Sequence, residues 1–143
     1  MKNLVDVNSY MVKRPVVVTP ETELFEAIHK ILRHKLSGVT VVDENRHPVG
    51  MLSELDCLGA ILSGTYYGDE HGTIIVGDHM AREVECVHSH ADVIDVAQSM
   101  LDHKHRRRPV VNDHNQVVGQ LTCRAILKCI KDFDVPKRWF EGG

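Results

Sequence analysis

A hydroxyl and a carboxylate stand three residues apart in this chain, at Ser53 and Asp56, next to a run rich in apolar residues. Ser-x-x-Asp is a variant of the capping box, in which the two side chains bond main-chain N–H groups at a helix start. A helix start also has unpaired N–H groups that favour a bound negative group. Ser53 and Asp56 are therefore either a helix cap alone or hydrogen-bonding groups of a ligand site.

The densest positive charge lies in the run His103-Lys104-His105-Arg106-Arg107-Arg108. Such a run forms a solvated basic face, binds phosphate groups or binds nucleic acid. The formal net charge of -3 and the lack of aromatic residues interleaved with the run argue against nucleic acid. The first two alternatives stay open on composition alone.

The ten histidines and four cysteines suggest no catalytic or metal chemistry. A metal site needs three or four convergent ligands, and pairs such as His88 and His90 supply two. No Cys-His-acid arrangement can be recognised from spacing, so we predict no metal site and no enzyme. The cysteines lack CxxC spacing, which favours reduced thiols and a cytoplasmic location. No stretch is long and apolar enough to predict a membrane span.

The chain repeats itself at an offset of 69 positions without a gap. Each copy is a unit in the order β-α-β-β-α, and two such units are expected to pack around a crevice that is the natural ligand site. We divide the chain into repeat 1 (1–62), a linker (63–75), repeat 2 (76–133) and a C-terminal tail (134–143). The identical pairs include Val7 and Val76, Met11 and Met80, Val18 and Val87, Gly50 and Gly119, and Leu52 and Leu121.

Repeat 1 resembles the signature of CBS domains in the runs Gly38-Val39-Thr40-Val41-Val42-Asp43 and Gly50-Met51-Leu52-Ser53-Glu54-Leu55-Asp56. Repeat 2 is similar in Arg108-Pro109-Val110-Val111-Asn112 and Gly119-Gln120-Leu121-Thr122. Two CBS domains in tandem form a Bateman module. The resemblance implies an α+β fold of two repeats related by pseudo-twofold symmetry. It also implies regulatory binding of an adenosine-containing ligand between the repeats: AMP, ADP or ATP, with NAD and S-adenosylmethionine as alternatives.

The resemblance also suggests roles for individual residues. The Asp56 carboxylate is expected to accept hydrogen bonds from both ribose hydroxyls, and Gly38 to let the main chain approach adenine closely. Because Ala125 replaces the aspartate in repeat 2, we expect one dominant site, with ribose held by repeat 1 and phosphates by arginines of repeat 2. The predicted ligand-binding residues are Thr19, Gly38, Val39, Ser53, Asp56, Arg106, Arg107, Thr122 and Arg124.

These observations predict a stand-alone regulatory module of the energy-sensing type, which needs no cofactor and signals to a separate, unidentified protein. The alternative is a structural dimerisation or scaffold module with a vestigial pocket. Apolar residues on the last helix of each repeat, such as Leu58 and Leu127, predict a homodimer. Trp139 and Phe140 in the tail are expected to pack on the domain or on a partner subunit.

Overall fold

The computed structural model describes residues 6–67 and 73–132. The predicted α+β fold is confirmed, since each repeat contains the order β-α-β-β-α, which in repeat 1 is preceded by one more short strand, Val12–Lys13. The predicted tail with Trp139 and Phe140 lies outside the described residues. No helix within the described ranges is long and apolar enough to cross a bilayer. The strands are β1 Val12–Lys13, β2 Val17–Val18, β3 Gly38–Val42, β4 Pro48–Ser53, β5 Val87–His88, β6 Arg107–Val111 and β7 Val117–Thr122; the helices are α1 Leu24–Arg33, α2 Glu54–Tyr67, α3 Val93–His103 and α4 Cys123–Asp132.

The first-repeat unit comprises residues 16–67, 73–85 and 114–117 of the described chain. Its sheet has the order β2-β3-β4, with β2 parallel and β4 antiparallel to β3. Helices α1 and α2 contribute apolar side chains to the core of this sheet, because each helix carries apolar residues at helical spacing. The core contains Val18, Leu24, Ala27, Ile31, Val39, Val41, Leu52, Cys57, Ala60 and Val76.

The second-repeat unit comprises residues 6–15, 86–113 and 118–132. Its sheet has the order β1-β7-β6-β5, in which β5 is parallel to β6 and β1 is antiparallel to β7. Helices α3 and α4 supply the helical side of its core. The buried residues are Val7, Val87, Val93, Val96, Met100, Val110, Leu121, Ile126 and Cys129.

The first segment of each repeat belongs to the unit that holds the other repeat's sheet. Val7 and its equivalent Val76 each begin a 3-10 turn. The Val7 N–H donates to Ala91 O at 3.0 Å, and the Val76 N–H donates to Thr22 O at 2.9 Å. Both valines are fully buried in their host cores. The chain therefore passes between the compact units after Pro15 and after Glu85, and residues 114–117 return briefly to the first-repeat unit.

The same exchange explains a glycine that both repeats share. A Cβ on Gly50 would lie 2.8 Å from Ala81 O, and a Cβ on Gly119 would lie 2.9 Å from Val12 O. Both carbonyls belong to the incoming segments, which run beside β4 and β7. Only a residue without Cβ allows this close approach of two main chains.

Two helix boundaries differ from those indicated by local sequence. Thr19 and Thr22 precede α1 as possible caps, but the helix begins after Glu23, which makes no side-chain cap bond. The two threonine hydroxyls instead lie 3.1 Å from each other. Helix α2 continues to Tyr67, into the segment predicted to be a linker, so Gly64 does not end it.

Candidate functional site

Ser53 and Asp56 form a reciprocal cap at the start of α2. The Ser53 N–H donates to Asp56 Oδ2 at 2.8 Å, and the Asp56 N–H donates to Ser53 Oγ at 3.1 Å. The capping alternative is therefore realised in the structure. Among the described residues no hydrogen bond reaches the second carboxylate oxygen of Asp56, whose side chain is half-buried. The pair can cap the helix and still present an acceptor.

Repeat 2 keeps only half of this cap. The Ala125 N–H donates to Thr122 Oγ1 at 3.0 Å, as the Asp56 N–H does to Ser53. Ala125 has no side-chain oxygen to return a bond to the main chain. The cap in repeat 2 shows that a hydroxyl alone is enough to start such a helix in this protein. The carboxylate of Asp56 is an addition to that minimum.

Gly38 lies beside the cap because of the strand register. It is paired with Ser53 across β3 and β4, and the Glu54 N–H donates to Ser37 O at 3.0 Å. Val39 follows in β3, but its side chain is fully buried in the core of the first-repeat unit. A ligand at this end of the sheet can therefore contact only the main chain of Val39.

Thr19 is not brought to this place within the first-repeat unit. Because β2 runs parallel to β3 with Val18 beside Val41, Thr19 is level with Val42. Four residues of strand separate that level from Gly38, roughly 13 Å at 3.3 Å per residue. The register therefore groups Gly38, Ser53 and Asp56 and places Thr19 towards the opposite end of the sheet.

The predicted basic residues gather at the equivalent end of the second-repeat unit. Arg107 begins β6, Thr122 ends β7, and the Cys123 N–H donates to Arg106 O at 2.9 Å. Arg124 follows in the first turn of α4. Arg106 and Arg124 are exposed, while Arg107 is half-buried. The structure thus forms an arginine cluster, Arg106, Arg107 and Arg124, around the Thr122 cap.

Arg108 departs from the expectation of a uniform basic face. Its side chain is 4 % exposed and occupies the position that Val39 has in repeat 1. The Arg108 guanidinium donates through Nε to His105 Nδ1 at 3.1 Å. Sequence reasoning treated this residue as part of a charged run. The alignment with the core residue Val39 is the signal that predicts its burial.

The thiol next to Asp56 is not poised for reaction. Burial raises the pKa of the Cys57 thiol above its ordinary value, and the carboxylates of Asp56 and Glu54 raise it further. The thiol therefore stays protonated near neutral pH, and the nucleophilic form of cysteine is the thiolate. Within residues 6–67 and 73–132, no cluster of three or more metal-ligating side chains was found.

A family model for the CBS domain matches residues 6–63 and 76–132. The chain is a tandem CBS-domain protein. An uncharacterised protein of Methanopyrus kandleri is 29% identical to this CBS pair over 117 residues, which cover 81% of this chain and 58% of that protein. The inosine-5'-monophosphate dehydrogenase of Methanocaldococcus jannaschii is 30% identical over 118 residues, 82% of this chain and 22% of the enzyme. The CBS pair thus spans less than two thirds of either relative.

The fold agrees with solved structures of CBS pairs. CBSX2 of Arabidopsis thaliana in complex with AMP has a TM-score of 0.78 and 27% identity, covering 88% of this chain and 96% of that chain. The CBS domain pair of protein MJ0100, in complex with 5'-methylthioadenosine and S-adenosylmethionine, has a TM-score of 0.74 and 23% identity. At that identity the second likeness concerns the fold alone.

Proposed function

We propose that this CBS pair is a regulatory module that binds one adenosine-containing ligand per chain, with Asp56 as the acceptor for the ribose hydroxyls. The observation that carries the proposal is the half-buried Asp56 carboxylate, which caps α2 with one oxygen and keeps the other available. Asp56 lies in the first turn of α2, and Gly38 lies beside it without a side chain to block a ring.

The likeness to CBSX2 supports the adenosine class, since that protein was solved with AMP and its likeness extends over 88% of this chain. Ala125 supports a single dominant site, because a methyl group cannot accept a hydrogen bond from a ribose diol. We further propose that the exposed Arg106 and Arg124 contact ligand phosphates, with Arg107 and Thr122 beside them. That part of the proposal rests on the sequence resemblance and on the clustering of these residues around the Thr122 cap.

The role is regulatory rather than enzymatic in this proposal, and its output passes to a separate target protein. The inosine-5'-monophosphate dehydrogenase match covers 22% of that enzyme, so its activity does not transfer to this chain. We also propose a homodimer, because leucines such as Leu58 and Leu127 remain exposed on α2 and α4. The cytoplasmic location stays a prediction from the cysteine spacing.

Isothermal titration of AMP, ADP, ATP, NAD and S-adenosylmethionine tests the proposal, with adenosine as the phosphate-free reference. Asp56→Asn keeps an oxygen for the Ser53 N–H but replaces the available acceptor oxygen with an NH2 group. The variant should therefore bind adenosine and AMP more weakly, by the same factor. Losing one such contact costs about 1–3 kcal/mol. Asp95→Ala is the matched control, because Asp95 is an exposed carboxylate in the first turn of α3. Undiminished binding by Asp56→Asn would reject the assignment.

A scaffold module with a vestigial pocket is the second candidate, and the reciprocal cap itself favours it. Ser53 and Asp56 bond each other's main chain, which is a sufficient structural reason for both residues. This candidate predicts no heat of binding for any member of the ligand panel. It also predicts that Asp56→Asn leaves the protein unchanged apart from its stability.

A further inference from the structure

A pocket of about 460 Å³ lies inside the second-repeat unit, between the first segment of the chain and α4. Its volume is within the range of pockets that hold small molecules, roughly 300–1,000 Å³. No residue of this pocket belongs to the set proposed above for adenosine or phosphate. We name it the α4 pocket. The lining residues are Ser9, Tyr10, Met11, Ala125, Lys128 and Asp132.

The α4 pocket contains one positive and one negative side chain from the same helix. Lys128 and Asp132 are four residues apart in α4, so they lie on one face of the helix. Lysine before an acidic residue is the less favourable order for a helical ion pair. In the described part of the chain, no ion pair joins Lys128 to Asp132 or to another carboxylate. Both charges therefore remain available to a ligand.

Tyr10 holds the Asp132 carboxylate at the edge of the pocket. The phenol donates to Asp132 Oδ2 at 3.3 Å, which joins the first segment to α4. Partial burial raises the pKa of the Tyr10 phenol above its ordinary value, and the Asp132 carboxylate raises it further. The phenol is therefore a protonated donor at neutral pH. Within the described ranges, no hydrogen bond reaches the second carboxylate oxygen of Asp132.

Repeat 1 forms the equivalent helix without these charged groups. Gly59 occupies the position of Lys128, and Ser63 occupies that of Asp132. A Cβ on Gly59 would meet nothing within 4 Å, so this position faces open space in repeat 1. The packing that both repeats share therefore does not require a side chain there. Lys128 and Asp132 need a reason that is specific to repeat 2.

We propose that the α4 pocket binds a free α-amino acid as its zwitterion, with the ligand carboxylate on the Lys128 ammonium and the ligand ammonium on the Asp132 carboxylate. A lysine ammonium only donates hydrogen bonds and an ionised carboxylate only accepts them, so the pair matches a ligand with one group of each kind. Met11 and Ala125 add apolar surface for an aliphatic side chain. The proposal goes beyond nucleotide binding and does not depend on it.

Isothermal titration of L-leucine and two analogues tests the pairing of both charges. Isopentylamine lacks the carboxylate of leucine, and isocaproate lacks its ammonium group. Each analogue loses one charged contact and should bind about tenfold more weakly than leucine. An analogue that binds as tightly as leucine would overturn the proposal, as would a wild-type protein that binds no leucine at millimolar concentration.

Two single variants assign each charge to its side chain. Lys128→Met should weaken leucine and isocaproate about tenfold and leave isopentylamine unchanged. Asp132→Asn should weaken leucine and isopentylamine by a similar factor and leave isocaproate unchanged. Leucine binding that is undiminished in either variant would overturn the assignment of that contact and with it the zwitterion site.

Lys131→Met is the matched control, because Lys131 is a neighbouring lysine of α4 that does not line the pocket. Its affinity for leucine should equal that of the wild type, and a loss equal to that of Lys128→Met would mean that the net charge of α4, rather than the pocket, determines binding. Urea unfolding of each variant shows that folding is intact. Titration of AMP into the same variants reports separately on nucleotide binding, which should stay at the wild-type level.

Discussion

Gly50 is the position at which one added methyl group gives the sharpest test of the exchanged segments. A Cβ there would lie 2.8 Å from Ala81 O and 2.5 Å from Met80 Sδ, and both atoms belong to the segment that enters from repeat 2. The methionine side chain can rotate away, but the carbonyl is part of the main chain. Gly50→Ala therefore forces the incoming segment to move away from β4.

Overpacking of this kind costs about 2 kcal/mol, which lowers Tm by roughly 5–10 °C in a protein of this size. Gly119→Ala should have a similar effect, because its Cβ would lie 2.9 Å from Val12 O of the other exchanged segment. The near equality of the two losses is part of the prediction, since it follows from the repeat.

Gly59→Ala is the matched control for this substitution. Gly59 lies inside α2, and a Cβ there would meet nothing within 4 Å. Alanine is the better helix former, so Gly59→Ala should stabilise the protein by about 0.5–1 kcal/mol. Urea unfolding followed by circular dichroism measures all three variants. If Gly50→Ala were as stable as Gly59→Ala, the close approach of Ala81 to β4 would be refuted.

Two further predictions concern charged groups. Arg106→Ala and Arg124→Ala should weaken AMP binding several-fold while the affinity for adenosine stays constant. Equal losses of affinity for AMP and adenosine in isothermal titration would mean that these arginines support the fold rather than bind a phosphate. The main-chain N–H groups of His47 and Asn45 donate to the Asp43 carboxylate and hold its pKa below the ordinary value. Ionised Asp43 therefore stabilises the native state at pH values above its unfolded pKa of about 4. This contribution is lost as the pH falls through the lower pKa of the folded state. Asp43→Asn keeps the acceptor for both bonds and should therefore make the urea midpoint less dependent on pH below about 4; an unchanged acid slope would contradict this assignment.

The repeat made most of the element order predictable. Apolar residues at equivalent spacing in both halves define four helices and their sheets, because burial selects the same periodicity twice. The Ser53 cap could also be predicted, since Ser-x-x-Asp before an apolar run is a variant of the capping box at a helix start. Properties that depend on neighbours along the chain were therefore accessible from the sequence.

Properties that depend on distant pairing were not accessible in the same way. The sequence shows that Val7 and Val76 are equivalent, but not that each is buried in the unit of the other repeat. The position of Thr19 illustrates the same difficulty. Its distance from Asp56 within one unit follows from the parallel register of β2 and β3, and that register is set by tertiary packing rather than by residues near Thr19.

Several differences between the repeats fall where function is proposed. Gly50 and Gly119 remain the same because the main chains touch there, and Ser53 and Thr122 both keep a capping hydroxyl. At the same end of each sheet, however, Asp56 is replaced by Ala125. Further replacements at this end are Ser37 by Arg106, Gly38 by Arg107, Val39 by Arg108, Glu54 by Cys123 and Leu55 by Arg124.

These replacements change the charge at this end of each sheet, whereas the shared glycine and the capping hydroxyl are retained. Repeat 1 keeps carboxylates and an open glycine there, and repeat 2 gains guanidinium groups, one of them buried as Arg108. A purely structural duplication has no physical reason to divide negative and positive charge between equivalent ends. A ligand that carries both a diol and phosphates gives such a reason. Asp56→Asn and Arg106→Ala remove the proposed diol contact and the proposed phosphate contact one at a time.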